Sequence, residues 1–242
     1  MSDAAEGSSL IDHPRALREE DRFDVEAVDA WLKARLEGLS GSPEVEQFPR
    51  GASNLTYRLR YPERDLILRR PPPGTKARSA HNMVREYKVQ RALKPVFPLV
   101  PDMLALCTDE AVIGSDFYVM ERLEGLILRA NLPEGLTLKP DQARQLAIEA
   151  IDRLIDLHQV DVAAAGLEKL GKGAGYNRRQ IEGWSERFRK ARTWNVLPGR
   201  SVMRWLAERV PDEVAVRVIH VDFRFDNLVL SPDDPLKIIG VL

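Results

Sequence analysis

The amino-acid sequence predicts an α+β fold in two lobes, and three observations lead to this prediction. Short apolar runs separated by turn residues dominate the chain up to about residue 124 and indicate β-strands. Longer stretches with apolar residues three and four positions apart dominate after it and indicate helices. A polar segment near the end, His220–Asn227, lies between two apolar runs. We therefore expect a strand-rich first lobe and a mostly helical second lobe.

Composition excludes several classes of protein. The chain has 242 residues, of which 44% are hydrophobic and 30% charged, as expected of a globular protein with a core. Its net charge of -1 gives no reason to expect nucleic acid or an anionic membrane as a partner. The single cysteine, Cys107, excludes an internal disulfide and lies in an apolar run typical of a buried thiol. Because no apolar stretch reaches the roughly 18 residues of a membrane span and the start is unlike a signal peptide, we expect a cytoplasmic protein.

The first lobe is expected to begin after a helical extension over residues 1–40. Residues 1–20 are polar, and we expect them to be disordered or loosely docked. Asp24 is a suitable N-cap for a helix over Asp24–Leu39. The lobe itself would cover residues 41–123, and its predicted strands are Val45–Phe48, Leu55–Arg60, Leu66–Arg69, Met103–Thr108 and Phe117–Met120.

The loop between the first two of these strands is rich in small residues. Backbone N–H groups near Gly51 can approach phosphate oxygens because little side chain stands in the way. Ser53 and Asn54 would add a hydroxyl and an amide to such a site. A plain hairpin loop accounts for the same residues, so the loop alone does not decide between the two interpretations.

The helices follow from apolar periodicity. One is expected after the third strand, and three more in the second lobe, residues 124–242. Their predicted bounds are Ser79–Leu93, Asp141–Gln159, Arg178–Thr193 and Ser201–Val210.

The segment His220–Asn227 is the part of the sequence that indicates chemistry. We expect it to be a polar loop between strands over Val216–Ile219 and Leu228–Leu230. Asp222 and Asn227 lie five positions apart on it. The aspartate can accept the proton of a substrate hydroxyl, and the asparagine oxygen can bind Mg²⁺, so the pair suits phosphoryl transfer.

Three stretches resemble one known family. The pattern H-x-D-x-x-x-x-N at 220–227 resembles the catalytic loop of the kinase-like superfamily, and H-x-D-F-R-x-D-N that of aminoglycoside phosphotransferases. The run R-R-P-P-P-G at 69–74 is similar to the kinase-like domain fused to some acyl-CoA dehydrogenases, and V-M-E-x-L-x-G at 119–125 to the family's hinge. The resemblance implies a bilobal protein-kinase-like fold with an antiparallel sheet and a helix in the N-lobe. It further implies ATP and Mg²⁺ as cofactors and a small-molecule hydroxyl as phosphate acceptor.

The resemblance also implies roles for the polar loop. Asp222 would be the base that orients the acceptor, and Asn227 would be a magnesium ligand. Arg224 would neutralise charge near the phosphates or hold the loop, and Asp226 would stabilise the turn. His220 is expected to brace the loop by hydrogen bonds rather than to transfer protons.

Further roles fall in the first lobe. Arg69 takes the place of a strand lysine that grips the nucleotide phosphates, and Glu86 is the expected partner of this cation. The adenine would bond to the main chain around Glu121 and Leu123. On sequence alone, a solvated strand-end arginine is the alternative interpretation of Arg69, and a solvent-facing glutamate is an equally good interpretation of Glu86.

Two departures from the family pattern leave alternatives open. Val221 stands where the family usually has glycine, so we expect a different local backbone, because a β-branched residue tolerates positive φ poorly. The chain stops at Leu242, where the family continues with an acidic magnesium ligand, so we expect a truncated, incomplete fold with slow or no turnover. The alternative function is a nucleotide-binding pseudokinase or interaction module. The acceptor alternatives are an aminoglycoside or a hydroxyacyl thioester.

Overall fold

A six-stranded antiparallel sheet organises the N-terminal half of the protein. The computed structural model describes residues 14–48, 54–72, 82–129, 131–133 and 135–242. The strands are β1 (Arg15–Ala16), β2 (Glu44–Gln47), β3 (Leu55–Arg60), β4 (Asp65–Arg70), β5 (Met103–Cys107) and β6 (Phe117–Glu121). They lie in the order β1-β2-β3-β4-β6-β5, and each neighbouring pair is antiparallel. Apart from β1, every strand was predicted to within one residue at each end.

Both faces of the sheet are covered, because successive side chains of a strand point to opposite faces. Helix α1 (Val25–Lys33) packs on one face and α2 (Met83–Leu93) on the other. The first face is lined mainly by Tyr57, Leu59, Leu66, Leu68, Phe117 and Val119, and the second by Ile67, Tyr118 and Met120. Cys107 lies in the first cluster, as predicted, and its burial raises the pKa of the thiol.

Helix α1 is shorter than the sequence predicted. The Asp24 side chain caps it by accepting a hydrogen bond from the Ala27 N–H at 2.9 Å. The helix ends at Lys33 instead of Leu39. The Arg35 N–H bonds to the Leu32 carbonyl three residues back, a tightened bond typical of a helix end.

The segment before α1 is docked on the sheet, so the expectation of disorder is wrong for residues 14–20. Strand β1 pairs with β2, and the chain then passes over the buried side chain of Arg70. The Arg70 guanidinium donates to the Asp21 carbonyl at 2.7 Å and to the Tyr57 hydroxyl at 3.1 Å. Since a buried guanidinium needs acceptors, this contact ties the N-terminal segment to β4.

Four further helices and a second sheet complete the described chain. They are α3 (Glu110–Ile113), α4 (Pro140–Gln159), α5 (Tyr176–Ala191), α6 (Arg200–Glu208), and the antiparallel strands β7 (Leu228–Leu230) and β8 (Ile238–Val241). The chain divides into two compact units, Met1–Val160 with Ile219–Leu242, and Asp161–Val218. The first contains both sheets and α1 to α4, and the second contains α5 and α6. No helix in the described ranges is long and apolar enough to cross a bilayer.

Two elements of the second half differ from prediction. Residues Val216–Ile219 form no strand: they have no ladder partner in the described chain, and Val216 and Ile219 are largely exposed. Helix α4 buries a narrower stripe than expected, consisting of Leu146, Ala150 and Leu157, while Ile151 and Ile155 face outward. The predicted lobe boundaries at residues 40 and 124 stay a prediction.

Candidate active site

The loop before β7 brings a carboxylate and an amide together. The Asn227 side-chain nitrogen donates to the Asp222 backbone carbonyl at 2.9 Å and to Asp222 Oδ2 at 3.2 Å. A turn of 3-10 helix over Phe225–Asn227 folds the chain back far enough for this contact. The two residues singled out by the motif therefore face the same side of one loop.

Val221 precedes the aspartate in a strained backbone conformation. Its φ angle is +60°, and it is the one non-glycine residue with positive φ in the described part of the chain. A β-branched residue in this left-handed region is a genuine outlier. Val221 therefore adopts the positive φ that a β-branched residue disfavours, although its side chain is 82% exposed and gains little from packing. A local backbone different from that of the family stays a prediction.

His220, at the start of the loop, holds it to the residue that follows β8. Its Nε2 lies 2.9 Å from the Leu242 carbonyl oxygen, and because a carbonyl only accepts, this nitrogen carries the proton. The Leu242 N–H in turn donates to the Asn227 carbonyl at 2.9 Å. The ring also meets Phe223 edge to face, with 5.5 Å between centroids. These contacts tie both ends of the loop to the end of β8, as the predicted bracing role requires.

Arg224 pairs with a neighbour in the same loop. Its Nη2 lies 2.7 Å from Asp226 Oδ2, and both side chains reach solvent. Exposed pairs of this kind contribute little to stability, so the pair mainly orients the two side chains. Of the two roles expected for Arg224, this contact corresponds to holding the loop.

The segment after β6 packs directly against the strand that follows the loop. Leu126 exchanges two backbone hydrogen bonds with Leu230, at 2.9 and 2.8 Å. A Cβ on Gly125 would overlap the Leu230 carbonyl, and one on Gly240 would meet the Leu123 side chain. The predicted hinge therefore lies against β7 and β8. Gly240 was missed, although an isolated glycine in an apolar strand indicates close approach of another chain segment.

Glu86, on helix α2, forms hydrogen bonds with two polar side chains. Its carboxylate accepts hydrogen bonds from the Asn54 amide at 3.0 and 3.1 Å and from the Tyr118 hydroxyl at 3.1 Å. Tyr118 is fully buried, and this burial raises the pKa of its hydroxyl to about 12. Tyr118 was missed as a site residue because its sequence context, an apolar strand, is that of an ordinary core aromatic.

The expected pair between Arg69 and Glu86 is absent. No ion pair within 4.0 Å joins the two in the described chain, because the Glu86 oxygens are already bonded to Asn54 and Tyr118. Arg69 Nε is buried without a hydrogen-bond partner, and the guanidinium carbon lies 5.9 Å from the centroid of the Tyr118 ring. The Glu86 carboxylate is thus hydrogen-bonded within the protein, and Arg69 forms no ion pair with a described residue.

The predicted phosphate-contacting loop is only partly described. Gly51 and Ser53 lie outside the described residues. Asn54 is buried, and its amide nitrogen contacts Glu86, while a contact of this residue with phosphates stays a prediction.

The two hinge residues, Glu121 and Leu123, make different contacts. The Glu121 N–H donates to the Asp102 carbonyl at 2.9 Å. Of the Glu121 backbone groups, this leaves the carbonyl to accept a hydrogen bond from an adenine. Its carboxylate accepts from Lys94 Nζ at 2.9 Å and from the Asp102 N–H at 2.8 Å. Leu123 packs its side chain on Gly240, in contact with β8.

The donor set of the loop fits magnesium. The described residues contain no group of three or more His, Cys, Asp or Glu side chains placed to hold a metal. Mg²⁺ does not require one, since it is commonly bound by one or two protein oxygens together with phosphates and water. Asp222 and Asn227 offer such oxygens, because the Asn227 nitrogen faces Asp222 and leaves the amide oxygen without a described partner.

Comparison with known sequences places the chain in one protein family. The model of the "Phosphotransferase enzyme family" matches residues 44–242. Human acyl-CoA dehydrogenase family member 11 is 33% identical over 226 residues, which is 91% of this chain and 29% of that protein. A probable acyl-CoA dehydrogenase of Arabidopsis thaliana, IBR3, is 34% identical over 254 residues, 98% of this chain and 30% of that protein. The chain therefore spans less than a third of the length of these relatives.

Solved structures show the same fold. A candidate aminoglycoside phosphotransferase from Ralstonia eutropha JMP134 superposes with a TM-score of 0.76 at 36% identity, covering 91% of this chain and 64% of that one. The ternary complex of APH(2")-IIa with streptomycin and ATP gives a TM-score of 0.60 at 16% identity. The superposition covers 91% of this chain and 69% of that one. At that low identity the second likeness establishes the fold alone, and it confirms the predicted kinase-like class.

Proposed function

Because this chain belongs to the phosphotransferase enzyme family, we propose that it transfers the terminal phosphoryl group of ATP to a hydroxyl of a small molecule. The observation that carries the proposal is the contact between Asp222 and Asn227, which places an acid–base group and a metal-binding oxygen on one loop. Phosphoryl transfer requires little else from a protein beyond positioning and charge stabilisation.

Asp222 is the proposed base. Asn227 holds its Oδ2, while Oδ1 accepts no hydrogen bond from another described residue and the side chain is exposed. A substrate hydroxyl can therefore donate to Oδ1. As the hydroxyl oxygen attacks the γ-phosphorus, its proton passes to the carboxylate and ADP leaves on the opposite side.

The charges of the nucleotide need positive partners. Mg²⁺, when bound through Asn227, neutralises charge on the phosphates. Arg69 is the proposed protein cation, since its guanidinium has no carboxylate partner in the described chain. The adenine would contact the main chain near Leu123 and the Glu121 carbonyl. A contact of Gly51 and Ser53 with phosphates stays a prediction.

Two acceptor classes are consistent with the comparisons. The relatives named as acyl-CoA dehydrogenases favour a hydroxyacyl thioester, while the streptomycin complex favours an aminoglycoside. We place the thioester first, because the sequence has no dense acidic cluster of the kind that a polycationic aminoglycoside would need. A cytoplasmic location, with no nucleic acid or membrane partner, stays a prediction from composition.

The test measures ADP release with MgATP and a panel of hydroxyacyl thioesters and aminoglycosides. Asp222→Asn keeps the shape of the side chain and removes the base, so it should lower turnover by about 100-fold or more. Asp233→Asn is the matched control, because Asp233 is an exposed carboxylate in the turn between β7 and β8. It should leave turnover unchanged.

A nucleotide-binding module without chemistry would behave differently. MgATP would raise the thermal midpoint of both the wild type and Asp222→Asn, yet no acceptor would yield ADP above background. That result would replace the proposed transferase function by the pseudokinase alternative. The expectation of slow turnover by the 242-residue chain stays a prediction.

A further inference from the structure

The chain leaves β6 through two residues of opposite charge, Glu121 and Arg122. The strand β6 lies between β4 and β5 in the sheet. Glu121 bonds to the segment that leads into β5, and Arg122 bonds to the first residue of β4. The main chain is therefore attached on both sides at the point where its ladder with β4 ends.

Lys94 and Asp102 hold Glu121 on the side of β5. Lys94 Nζ, at the C-cap of α2, lies 2.9 Å from Glu121 Oε1 and also donates to the Val100 carbonyl at 2.8 Å. The Asp102 N–H donates to the same carboxylate oxygen at 2.8 Å, and the Glu121 N–H donates to the Asp102 carbonyl at 2.9 Å. Because both its side chain and its backbone are bonded to Asp102, the Glu121 main chain has little freedom to rotate.

Asp65 holds Arg122 on the side of β4. Arg122 Nη1 lies 2.6 Å from Asp65 Oδ2, and the Arg122 side chain is only 10% exposed. The Nε atom of Arg58, on β3, donates to the same carboxylate oxygen at 2.8 Å. Ion pairs that are partly buried are screened by salt much less than pairs in full contact with water. This pair can therefore fix the position of Arg122.

The peptide group between Glu121 and Arg122 contains the carbonyl that we assign to the adenine. Adenine presents a donor, the amino group at N6, whereas guanine presents an acceptor, O6, at the equivalent position. A carbonyl that is fixed in place accepts a hydrogen bond from adenine and repels guanine. A peptide group that rotates freely can offer its N–H to guanine instead. The preference for one base thus depends on how firmly the two flanking residues are held.

We propose that Lys94 and Asp65 are positioning residues, which hold the main chain of Glu121 and Arg122 and thereby make the site prefer adenine to guanine. The proposal rests on the proposed function, since it assigns the Glu121 carbonyl to the base of the nucleotide. These four residues are called the hinge bracket below. Its two ion pairs act on the two ends of one peptide group.

The first experiment measures amide hydrogen exchange in the protein without ligand. Lys94→Met removes the ammonium group, and Asp65→Asn keeps the shape of the side chain and removes its charge. Each should speed exchange about 5-fold or more in the peptide that contains the two hinge residues, because the main chain opens more often. The matched controls are Lys88→Met, at an exposed position of α2, and Glu44→Gln, in an exposed ion pair of β2. Both should leave this exchange unchanged.

The second experiment measures dissociation constants for MgATP, MgGTP and magnesium tripolyphosphate. The ratio of the first two reports base recognition, which a merely structural change would not alter, and the third reports the phosphate site alone. Lys94→Met and Asp65→Asn should each lower the preference for ATP over GTP about 5-fold or more and leave tripolyphosphate affinity unchanged. Lys94→Arg keeps a cationic donor and should retain most of the preference. The two controls should change none of the three constants.

Three outcomes would overturn the proposal while the proposed function stands. Equal losses of ATP and GTP affinity in Lys94→Met and Asp65→Asn would mean that the hinge bracket only supports the fold. Unchanged exchange in both variants would mean that the main chain does not depend on the bracket. Equal affinity of the wild type for ATP and GTP would mean that the site has no base preference. A wild type that bound no nucleotide would refute the proposed function together with the base preference.

Discussion

The backbone of Leu126 exchanges two hydrogen bonds with Leu230, at 2.9 and 2.8 Å. This bridge docks the segment after β6 onto the strand that directly follows the Asp222–Asn227 loop. The contact is possible because Gly125 has no side chain, since a Cβ there would overlap the Leu230 carbonyl and the Val229 side chain. The bridge is therefore what positions the loop relative to the predicted hinge.

Replacement of Gly125 by alanine should break this docking. The added methyl has no free space, so we expect a loss of roughly 1–3 kcal/mol in the free energy of unfolding. Urea unfolding followed by circular dichroism measures it. Gly183→Ala is the control, because its Cβ would enter open space within α5 and should stabilise that helix by roughly 0.5–1 kcal/mol. A neutral Gly125→Ala would show that the bridge does not require the glycine.

Val221→Gly should stabilise the protein. Relief of the left-handed conformation is worth about 1–2 kcal/mol, and the extra freedom of glycine in the unfolded chain removes about 0.5–1 kcal/mol of that gain. The net gain should be roughly 0.5–1 kcal/mol in urea unfolding. Val214→Gly replaces another highly exposed valine, which lacks a positive φ, and should give no gain. If Val221→Gly lowered the free energy of unfolding as much as Val214→Gly does, the backbone at Val221 would not be strained.

Arg70→Met should be strongly destabilising. The substitution removes the Arg70 donor from the Tyr57 hydroxyl and from the Arg22 carbonyl, and it leaves the Asp21 carbonyl with the Tyr57 hydroxyl as its donor at 2.8 Å. We expect this loss of buried hydrogen bonds to cost roughly 1–3 kcal/mol. Arg60→Met on the adjacent strand is the control, because Arg60 forms only an exposed pair with Glu44 at 3.4 Å. Its effect should stay within about 1 kcal/mol. Similar unfolding midpoints for the two variants would refute the role of Arg70 in docking the N-terminal segment.

Alkaline pH should weaken the fold through Tyr118. Burial raises the pKa of this hydroxyl from 10.0 to about 12, so the folded state holds the proton more tightly than the unfolded state. The resulting stability is complete below pH 10 and is lost as the pH rises toward 12. By pH 11 the loss should be roughly 1 kcal/mol. Urea unfolding at pH 9 and pH 11 measures the change in the free energy of unfolding between the two pH values. This change should be smaller for Tyr118→Phe than for the wild type, and equal changes would contradict the raised pKa of Tyr118.

Much of the fold could be predicted from sequence because its signals are local. Strand β3 was predicted residue for residue, since Leu55–Arg60 alternates apolar and polar positions between two turns. The Asp222 and Asn227 pair was likewise recognisable, because a short loop places residues five positions apart within reach of one another. These features depend on residues that are close to one another in the chain, and the sequence shows those residues directly.

Other features depend on partners that are distant in sequence. Val216–Ile219 has the composition of a strand but finds no ladder partner in the described chain, while the polar Arg15–Ala16 finds one in β2. Glu86 has two classes of possible partner, and the buried hydroxyl of Tyr118, not the charge of Arg69, reaches it. Periodicity and spacing determined most of the helices and strands and the loop that carries the acid and the amide. The tertiary structure alone decided which polar groups meet, because a partly buried carboxylate such as that of Glu86 bonds to the donors that packing brings within about 3 Å, whatever their charge.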